Sequence, residues 1–110
     1  MEERTFRFAK DVRAFVKTLP RTIPNMEDIR QVVKASGPVG ANYIEANEAL
    51  SKKDFVLRIK ISRKESKESR YWLRLLDTGG KESLDKTRGT LIQEATELMN
   101  IFGSMVRKTE

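Results

Sequence analysis

Apolar residues recur every three or four positions through most of the chain, which is the spacing of amphipathic helices that bury one face. Phe8, Val12, Phe15 and Leu19 form the first stripe, and Pro20 ends it because proline cannot continue a helix. The last stripe consists of Leu84, Leu91, Ala95, Leu98, Phe102 and Met105. No Val- or Ile-rich alternation indicates a strand. The pattern predicts four helices, over about residues 3–19, 25–50, 52–78 and 83–107.

Candidate caps and breakers separate these helices. Asn25 followed by Asp28 has the spacing of a capping box, and Ser51 followed by Asp54 predicts a cap for the third helix. The Gly79-Gly80 pair predicts where that helix ends. Because the connections are short, neighbouring helices must run antiparallel. We therefore predict an all-α fold, an antiparallel up-down-up-down four-helix bundle, with residues 1–110 as a single domain.

Small residues and a proline interrupt the second helix at "SGPVGA", residues 36–41. We interpret this segment as a continuous helix that bends at Gly37 and Pro38, because proline cannot donate a hydrogen bond to the preceding turn. The alternative is a break into two helices at this point. If the chain folds back at Ser51, Gly40 lies opposite a seam of small core-facing residues on the third helix, which predicts a close approach of the two backbones. That seam consists of Ser62, Ser66 and Ser69.

The polar residues Asn42 and Glu45 share one face of the second helix. The same fold-back places Asn42 near Arg63 and Glu45 near Lys60, which predicts a hydrogen bond and an ion pair between the helices. The alternative is a polar cluster that faces a ligand. Carboxylates on bundle helices can also bind metals, but the usual two-metal centres need Glu-x-x-His repeats and the chain has no histidine. We therefore predict no metal site.

The composition argues against an enzyme and against a membrane protein. Without cysteine or histidine, the chain lacks thiolates, disulfides, the usual metal ligand and the usual general base. We expect no catalytic residues and no cofactor. No apolar run reaches the ~18 residues of a membrane span, and the first residues are charged throughout, so no secretory signal is expected either. These features predict a cytoplasmic protein.

The net charge of +6 is concentrated in one segment. Residues 1–51 carry eight Lys and Arg against seven Asp and Glu, residues 52–76 nine against three, and residues 77–110 five against six. Within the middle segment, six cations at three- and four-residue spacing form what we call the basic ridge. The basic ridge consists of Lys60, Arg63, Lys64, Lys67, Arg70 and Arg74. A polyanion such as RNA is the partner that this concentration of charge favours.

The alternative for the basic ridge is a solvated helix face, on which Glu65 and Glu68 offset the cations, or a surface that pairs with acids of another subunit. No zinc finger, Gly-rich RNA clamp or aromatic platform is visible, so we expect contacts with backbone and shape and little sequence preference. Tyr71 and Trp72 adjoin the ridge and could stack on a base, although a single Trp beside Leu73 is more typical of a core or a subunit interface.

Two segments of the chain resemble a known family. "GANYIEANEALSKKDF" and "RIKISRKESKESRYWLRLL" are similar to the four-helix-bundle proteins encoded by intervening sequences in bacterial 23S rRNA genes. The resemblance extends from about Phe8 to Lys108. The residues that carry it are Ala41, Asn42, Glu45, Ser51, Lys53, Asp54 and Phe55. That family is related to the accessory variability protein of diversity-generating retroelements.

The resemblance implies a bundle that assembles as a homopentameric ring, with a basic surface suspected of touching nucleic acid. Members of the family lack an established enzymatic activity. The retroelement relation implies a protein partner such as a reverse transcriptase. We therefore expect a non-enzymatic, homo-oligomeric accessory protein that binds RNA through the basic ridge. The alternative is a structural oligomeric adaptor that binds an acidic protein partner.

Overall fold

Four helices in sequence order make up the protein, whose computed structural model describes residues 1–110. They are α1 (Glu2–Val16), α2 (Ile23–Asn47), α3 (Lys52–Leu75) and α4 (Glu82–Thr109). Each helix packs on its neighbours in sequence, α1 also touches α4, and the Cα atoms of the two diagonal pairs stay more than 8 Å apart. The resulting rod measures 46 × 20 × 20 Å. The predicted all-α four-helix bundle is thus confirmed.

The apolar core runs along the axis of the rod and is formed by the stripes that the helical spacing predicts. Its largest contributors are Phe8 of α1 and Phe102 of α4, both of which are buried. Tyr43 of α2 reaches the ring of Phe102, with the ring centroids 5.9 Å apart. Leu84 and Met105, also predicted as core, are only partly buried and lie against it. The helices are therefore held mainly by burial of one apolar face each.

The start of α2 differs from the prediction. The helix begins at Ile23, and the Thr22 hydroxyl caps it by accepting a hydrogen bond from the backbone N–H of Asn25 at 3.2 Å. The capping box predicted at Asn25 is therefore wrong. Pro24 explains the earlier start, because proline fits the first helical turn, where its missing N–H has no partner to lose.

The other helix ends show one confirmed cap and three earlier terminations. The Ser51 hydroxyl accepts from the backbone N–H of Asp54 at 3.0 Å, as predicted for α3. That helix already ends at Leu75, and Gly79 and Gly80 follow in the turn with φ of 69° and 76°. The first helix ends at Val16 and α2 ends at Asn47, each three residues before the predicted end. The predicted ranges of α1 and α3 extend to the next Pro or Gly and that of α2 to the cap at Ser51, whereas the helices stop sooner.

The segment "SGPVGA" lies within α2, which continues unbroken from Ile23 to Asn47. The predicted continuous helix is therefore correct, and the alternative break at Gly37 and Pro38 does not occur. Against this part of α2 pack the three serines of α3, all fully buried. Ser62 donates to the carbonyl of Val39 on α2 at 2.9 Å, so the two helix backbones lie close together here.

The other two serines return their hydroxyls to the preceding turn of their own helix, as expected for serine in a helix interior. Ser66 donates to the carbonyl of Ser62 and Ser69 donates to that of Glu65, both at 2.8 Å. No buried side-chain polar atom lacks a partner anywhere in the protein. The serine seam therefore carries no desolvation penalty from unpaired hydroxyls.

The pairing of α2 with α3 is displaced by about one helical turn from the predicted register. Asn42 accepts a hydrogen bond from Arg58 at 3.2 Å, and not from Arg63. Lys60 lies 3.3 Å from the carboxylate of Glu110, and the predicted Glu45–Lys60 ion pair is absent because Glu45 is exposed without a partner. The reason is the position of the hairpin. The chain reverses in the turn that precedes Ser51, whereas the prediction centres the reversal at Ser51 itself.

Gly40 serves a different contact from the one predicted. A Cβ atom at this position would lie 2.8 Å from Oγ1 and 3.1 Å from Cβ of Thr5. The close approach that Gly40 permits is therefore with α1 and not with the serine seam of α3. Thr5 is itself fixed, since it is buried and its hydroxyl donates to the carbonyls of Met1 and Glu2.

Alanine at Gly40 should destabilise the protein, whereas alanine at Gly89 should stabilise it. Both glycines lie inside helices, where alanine is favoured by about 1 kcal/mol, and a Cβ at Gly89 meets nothing within 4 Å. At Gly40 the clash with Thr5 should outweigh that gain and lower the free energy of unfolding by roughly 1–2 kcal/mol. Thermal melting of the two variants at one protein concentration tests this. If the melting temperatures of both variants shift in the same direction, the assignment of Gly40 to the α1–α2 contact is contradicted.

Asn25 joins two connections at one end of the bundle. Its side chain is buried, donates to the carbonyls of Pro20 and Asp77 at 2.9 and 2.8 Å, and accepts from the backbone N–H of Asp77 at 2.9 Å. The α1–α2 and α3–α4 connections are thereby tied together. Asn25 and Asp77 are 52 residues apart in the sequence, so local spacing does not predict this contact.

Replacing Asn25 with alanine should cost roughly 2–4 kcal/mol of unfolding free energy, because three backbone groups lose their partner in a buried place. The matched control is Asn100→Ala on the exposed side of α4, which should change stability by about 0.5 kcal/mol or less. Chemical denaturation of both variants provides the measurement. Equal effects would show that the Asn25 hydrogen bonds do not hold the two connections.

Candidate nucleic-acid interface

The basic ridge lies along the side of α3 that turns towards α4. Five of its six residues line a shallow depression of about 460 Å³ whose remaining lining residue is Met99 of α4. These five are Lys60, Arg63, Lys64, Lys67 and Arg70. Arg74, the sixth, is exposed one helical turn beyond Arg70. The structure therefore brings five of the six cations predicted from helical spacing to one depression, and Arg74 follows on the same helix.

Carboxylates leave most of this surface uncompensated. Lys60 alone among the six has a carboxylate within 4.0 Å, that of Glu110, and both side chains are about half exposed. An exposed pair of this kind contributes little, about 0–1 kcal/mol. Neither Glu65 nor Glu68 forms an ion pair with any ridge cation. The intrahelical pairs that would neutralise the ridge are thus absent.

Glu65 lies on a different side of α3, where it is partly buried. Burial raises the pKa of its carboxyl above the usual range, and the neighbouring charge of Glu68 raises it further, while Lys64 opposes both effects. A carboxyl in a strong ion pair would show the opposite shift. With no cation within 4.0 Å, Glu65 forms no ion pair with the basic ridge.

On α4, beside Arg63, lies one cation that the sequence analysis did not include in the ridge. Arg63 lies over Gly103, with its Nε 3.6 Å from the position that a Cβ would take there. The Nη1 atom of Arg107 lies 3.4 Å from the same position. Arg107 follows Gly103 by four residues on the same helix, so it lies on the same face. The signal that could have revealed it is this spacing, but only once α4 is known to pack beside the ridge.

Two aromatic residues and an apolar stripe adjoin the ridge on α3. Trp72 is half-buried against the core, in line with the more typical role of a single Trp, and its ring meets that of Tyr71 edge-on at 5.1 Å. Tyr71 is 56% exposed. Leu57 and Leu75 are also exposed, at 55% and 49%, and helical periodicity places them on the same outer face. This outer stripe consists of Leu57, Tyr71 and Leu75.

The seam between α1 and α4 carries charges of both signs. Arg4 donates two hydrogen bonds to Glu94, at 2.8 and 2.7 Å, and one to Glu97 at 3.0 Å. These contacts raise the pKa of Arg4, the bonds to Glu94 most of all. The pKa of Glu97 is lowered by hydrogen bonds from Gln93 and from Arg4. Acids and base therefore neutralise each other here, in contrast to the basic ridge.

Other kinds of site find little support in the structure. Nowhere do three His, Cys, Asp or Glu side chains come together in a group that could hold a metal ion. None of the four helices combines the length and the apolar character that crossing a membrane requires. Asn42 also donates to the carbonyl of Pro38 at 3.0 Å, so both ends of its amide make structural contacts. The basic ridge is consequently the surface with the clearest chemistry.

Comparison with known proteins agrees with this fold. The sequence model of the 23S rRNA-intervening sequence protein family matches residues 1–104. No curated protein matches the chain. A crystal structure of a protein of unknown function from the S23 ribosomal protein family of Bacteroides thetaiotaomicron superposes with a TM-score of 0.81, covering 96% of each chain at 24% identity. That structure supports the four-helix fold, and the family match over all but the last six residues shows that the protein belongs to the 23S rRNA-intervening sequence protein family.

Proposed function

We propose that the protein binds nucleic acid, structured RNA in particular, through the basic ridge, and that it does so without enzymatic activity. The observation that carries the proposal is the set of five ridge cations without a carboxylate within 4.0 Å. Unpaired surface cations in a row are the electrostatic requirement for binding a phosphate backbone, because their charge is free to replace condensed counterions.

The dimensions of the ridge suit several phosphates. From Lys60 to Arg74 the helix rises about 20 Å at 1.5 Å per residue, enough for several phosphates along one strand. The lining contains no row of aromatic rings on which bases would stack in turn. Contacts with phosphate carry no base information, so binding should depend on salt and on the shape of the RNA more than on its sequence.

Removing four unpaired ridge cations should weaken RNA binding and its dependence on salt. The variant changes Arg63, Lys64, Lys67 and Arg70 to Gln. For each phosphate that the variant no longer neutralises, the slope of log affinity against log salt should flatten by roughly 0.7 to 0.9. Fluorescence anisotropy with a labelled RNA hairpin over a salt series measures both quantities. A sequence-scrambled hairpin of the same shape should bind about as well.

The matched control removes the same net charge from another part of the surface. It changes Arg13, Lys17, Arg21 and Lys34 to Gln, all of them exposed on α1, α2 or their connection. Both variants carry a net charge of +2, since each loses four of the native +6. If the ridge variant and the control bind alike, total charge and not the ridge determines binding, and the proposal is wrong.

We further propose that the protein acts as a homo-oligomer, for which the resemblance implies five subunits. Support comes from the outer stripe, whose three large apolar side chains are each about half exposed on one face of α3. Lys64 lies two helical turns from both Leu57 and Tyr71, so burial of that stripe between subunits would cover Lys64 as well. The other ridge cations would remain accessible along the α4 side. In a ring, such ridges would recur once per subunit.

Light scattering at micromolar concentration should give several times the monomer mass, five times for a pentamer. Leu57→Glu with Leu75→Glu should shift the protein towards monomer, because a charge in an apolar subunit contact is costly to bury. The control is Leu50→Glu in the α2–α3 connection, where the native side chain is fully exposed and the substitution should leave the mass unchanged. A native protein that scatters as a monomer would contradict the oligomer proposal.

A structural adaptor for an acidic protein partner is the second candidate, and the family resemblance implies a reverse transcriptase as one candidate protein partner. The proximity of an exposed apolar stripe to the ridge favours it, since a protein partner could use both surfaces. The two candidates differ in competition. Mixed RNA should displace a nucleic-acid ligand completely and should leave a protein partner with apolar contacts largely bound.

A further inference from the structure

Two arginines from different helices converge at Gly103. A Cβ atom on this residue would lie 3.4 Å from Nη1 of Arg107 and 3.6 Å from Nε of Arg63. Gly103 itself is buried, and the three atoms nearest to such a Cβ, outside the adjacent residues and the local helix backbone, all belong to these two side chains. The missing side chain therefore lets Arg63 reach across from α3 and lie against α4 beside Arg107.

No acid balances this pair of cations. Neither Arg63 nor Arg107 has a carboxylate within 4.0 Å, and the nearby Glu110 is engaged with Lys60. Arg107 Nη1 and Arg63 Nε lie 3.4 and 3.6 Å from the same point, so these two atoms are at most about 7 Å apart, the sum of the two distances. Two cations this close repel each other unless an anion lies between them. Each guanidinium offers a planar set of donors that fits the oxygens of a phosphate group.

We infer that Arg63 and Arg107 together form one phosphate-binding point at Gly103, whose ligand is a phosphodiester of a nucleic-acid backbone. The inference rests on the proposed function and extends it from α3 alone to the groove between α3 and α4. Lys67, Lys64 and Arg70 continue the path of positive charge along the same depression. The phosphate held by the arginine pair then fixes the position of the strand in the groove.

The first test compares two adjacent cations on α4. Arg107→Gln should weaken binding of a labelled 20-base-pair RNA duplex about tenfold, the loss expected for a charge-assisted hydrogen-bonding pair. Lys108→Gln removes the same charge from an exposed neighbour that helical periodicity places on another face, and should change affinity less than about twofold. The same duplex made of DNA should show the same difference between variants, because both ligands present phosphodiesters.

Coupling between the arginines provides the second test. If both hold one phosphate, Arg63→Gln with Arg107→Gln should weaken binding by much less than the product of the two single losses. Independent contacts would give the full product. If the affinity loss of the double variant equals the product of the two single losses, the shared binding point is wrong, even though each arginine contributes to affinity.

The third test places a charge between the arginines. Gly103→Asp supplies a carboxylate within reach of both guanidinium groups, and Gly103→Asn supplies a neutral side chain of the same shape. We expect the Asp variant to lose about tenfold more affinity than the Asn variant. Thermal melting shows whether both variants fold, and the comparison of Arg107 with Lys108 stands independently of any change at this buried glycine.

The outcomes separate this inference from the proposed function. If the four-residue ridge variant loses RNA binding while Arg107→Gln behaves like Lys108→Gln, the ridge binds RNA and the phosphate-binding point at Gly103 is wrong. If the ridge variant binds like its control, the proposed function fails first. Competition by poly-glutamate as effective as that by RNA at equal charge concentration would assign the arginine pair to an acidic protein and overturn the inference.

Discussion

The close contact between α2 and α3 is the constraint on which the rest of the structure depends. Three positions of α3 that face the core are serines, fully buried, and their hydroxyls bond to backbone carbonyls. Because these side chains are small, the two helices approach each other without large apolar groups between them. The bulky core residues lie away from these serines, above all Phe8 of α1, Phe102 of α4, and Ile59 and Leu73 of α3 itself. The serines therefore allow a close backbone approach between α2 and α3, while large apolar side chains elsewhere fill the core.

Serines and apolar residues occupy the inward positions of α3, so its long charged side chains are directed outwards. The six ridge cations form six i,i+3 or i,i+4 pairs of like charge along the helix. At about 0.2–0.5 kcal/mol each, such pairs would destabilise the helix by roughly 1–3 kcal/mol. A domain with a stability of about 5–15 kcal/mol can tolerate that cost. A bound polyanion would remove it, which links the electrostatic strain of α3 to the function proposed for it.

The sequence predicts the helices and the ridge well because both depend on local spacing. Four helices, the Ser51 cap and the grouping of the ridge cations all follow from periodicity along one segment. Contacts between residues that are far apart in the sequence cannot be predicted from such local spacing. The role of Asn25 depends on Asp77, 52 residues away, and the partner of Gly40 is Thr5 on another helix. The predicted register of α2 against α3 is wrong by about a turn because the hairpin lies before Ser51, which no cap or breaker signals.

The distribution of acids explains why the ridge remains unpaired in a chain with sixteen Asp and Glu. On α4, the acids Glu94 and Glu97 lie on the side that meets α1, where both bind Arg4. The side that meets α3 presents Met99, Gly103 and Arg107, none of which can neutralise a cation. The one acid there, Glu110 at the end of α4, pairs with Lys60 alone. If the acidic side of α4 faced α3 and not α1, the same amino-acid composition would provide the ridge cations with counterions. The orientation of the helix faces therefore produces the positive surface. This orientation, more than the net charge, makes the α3–α4 groove suited to an anionic ligand.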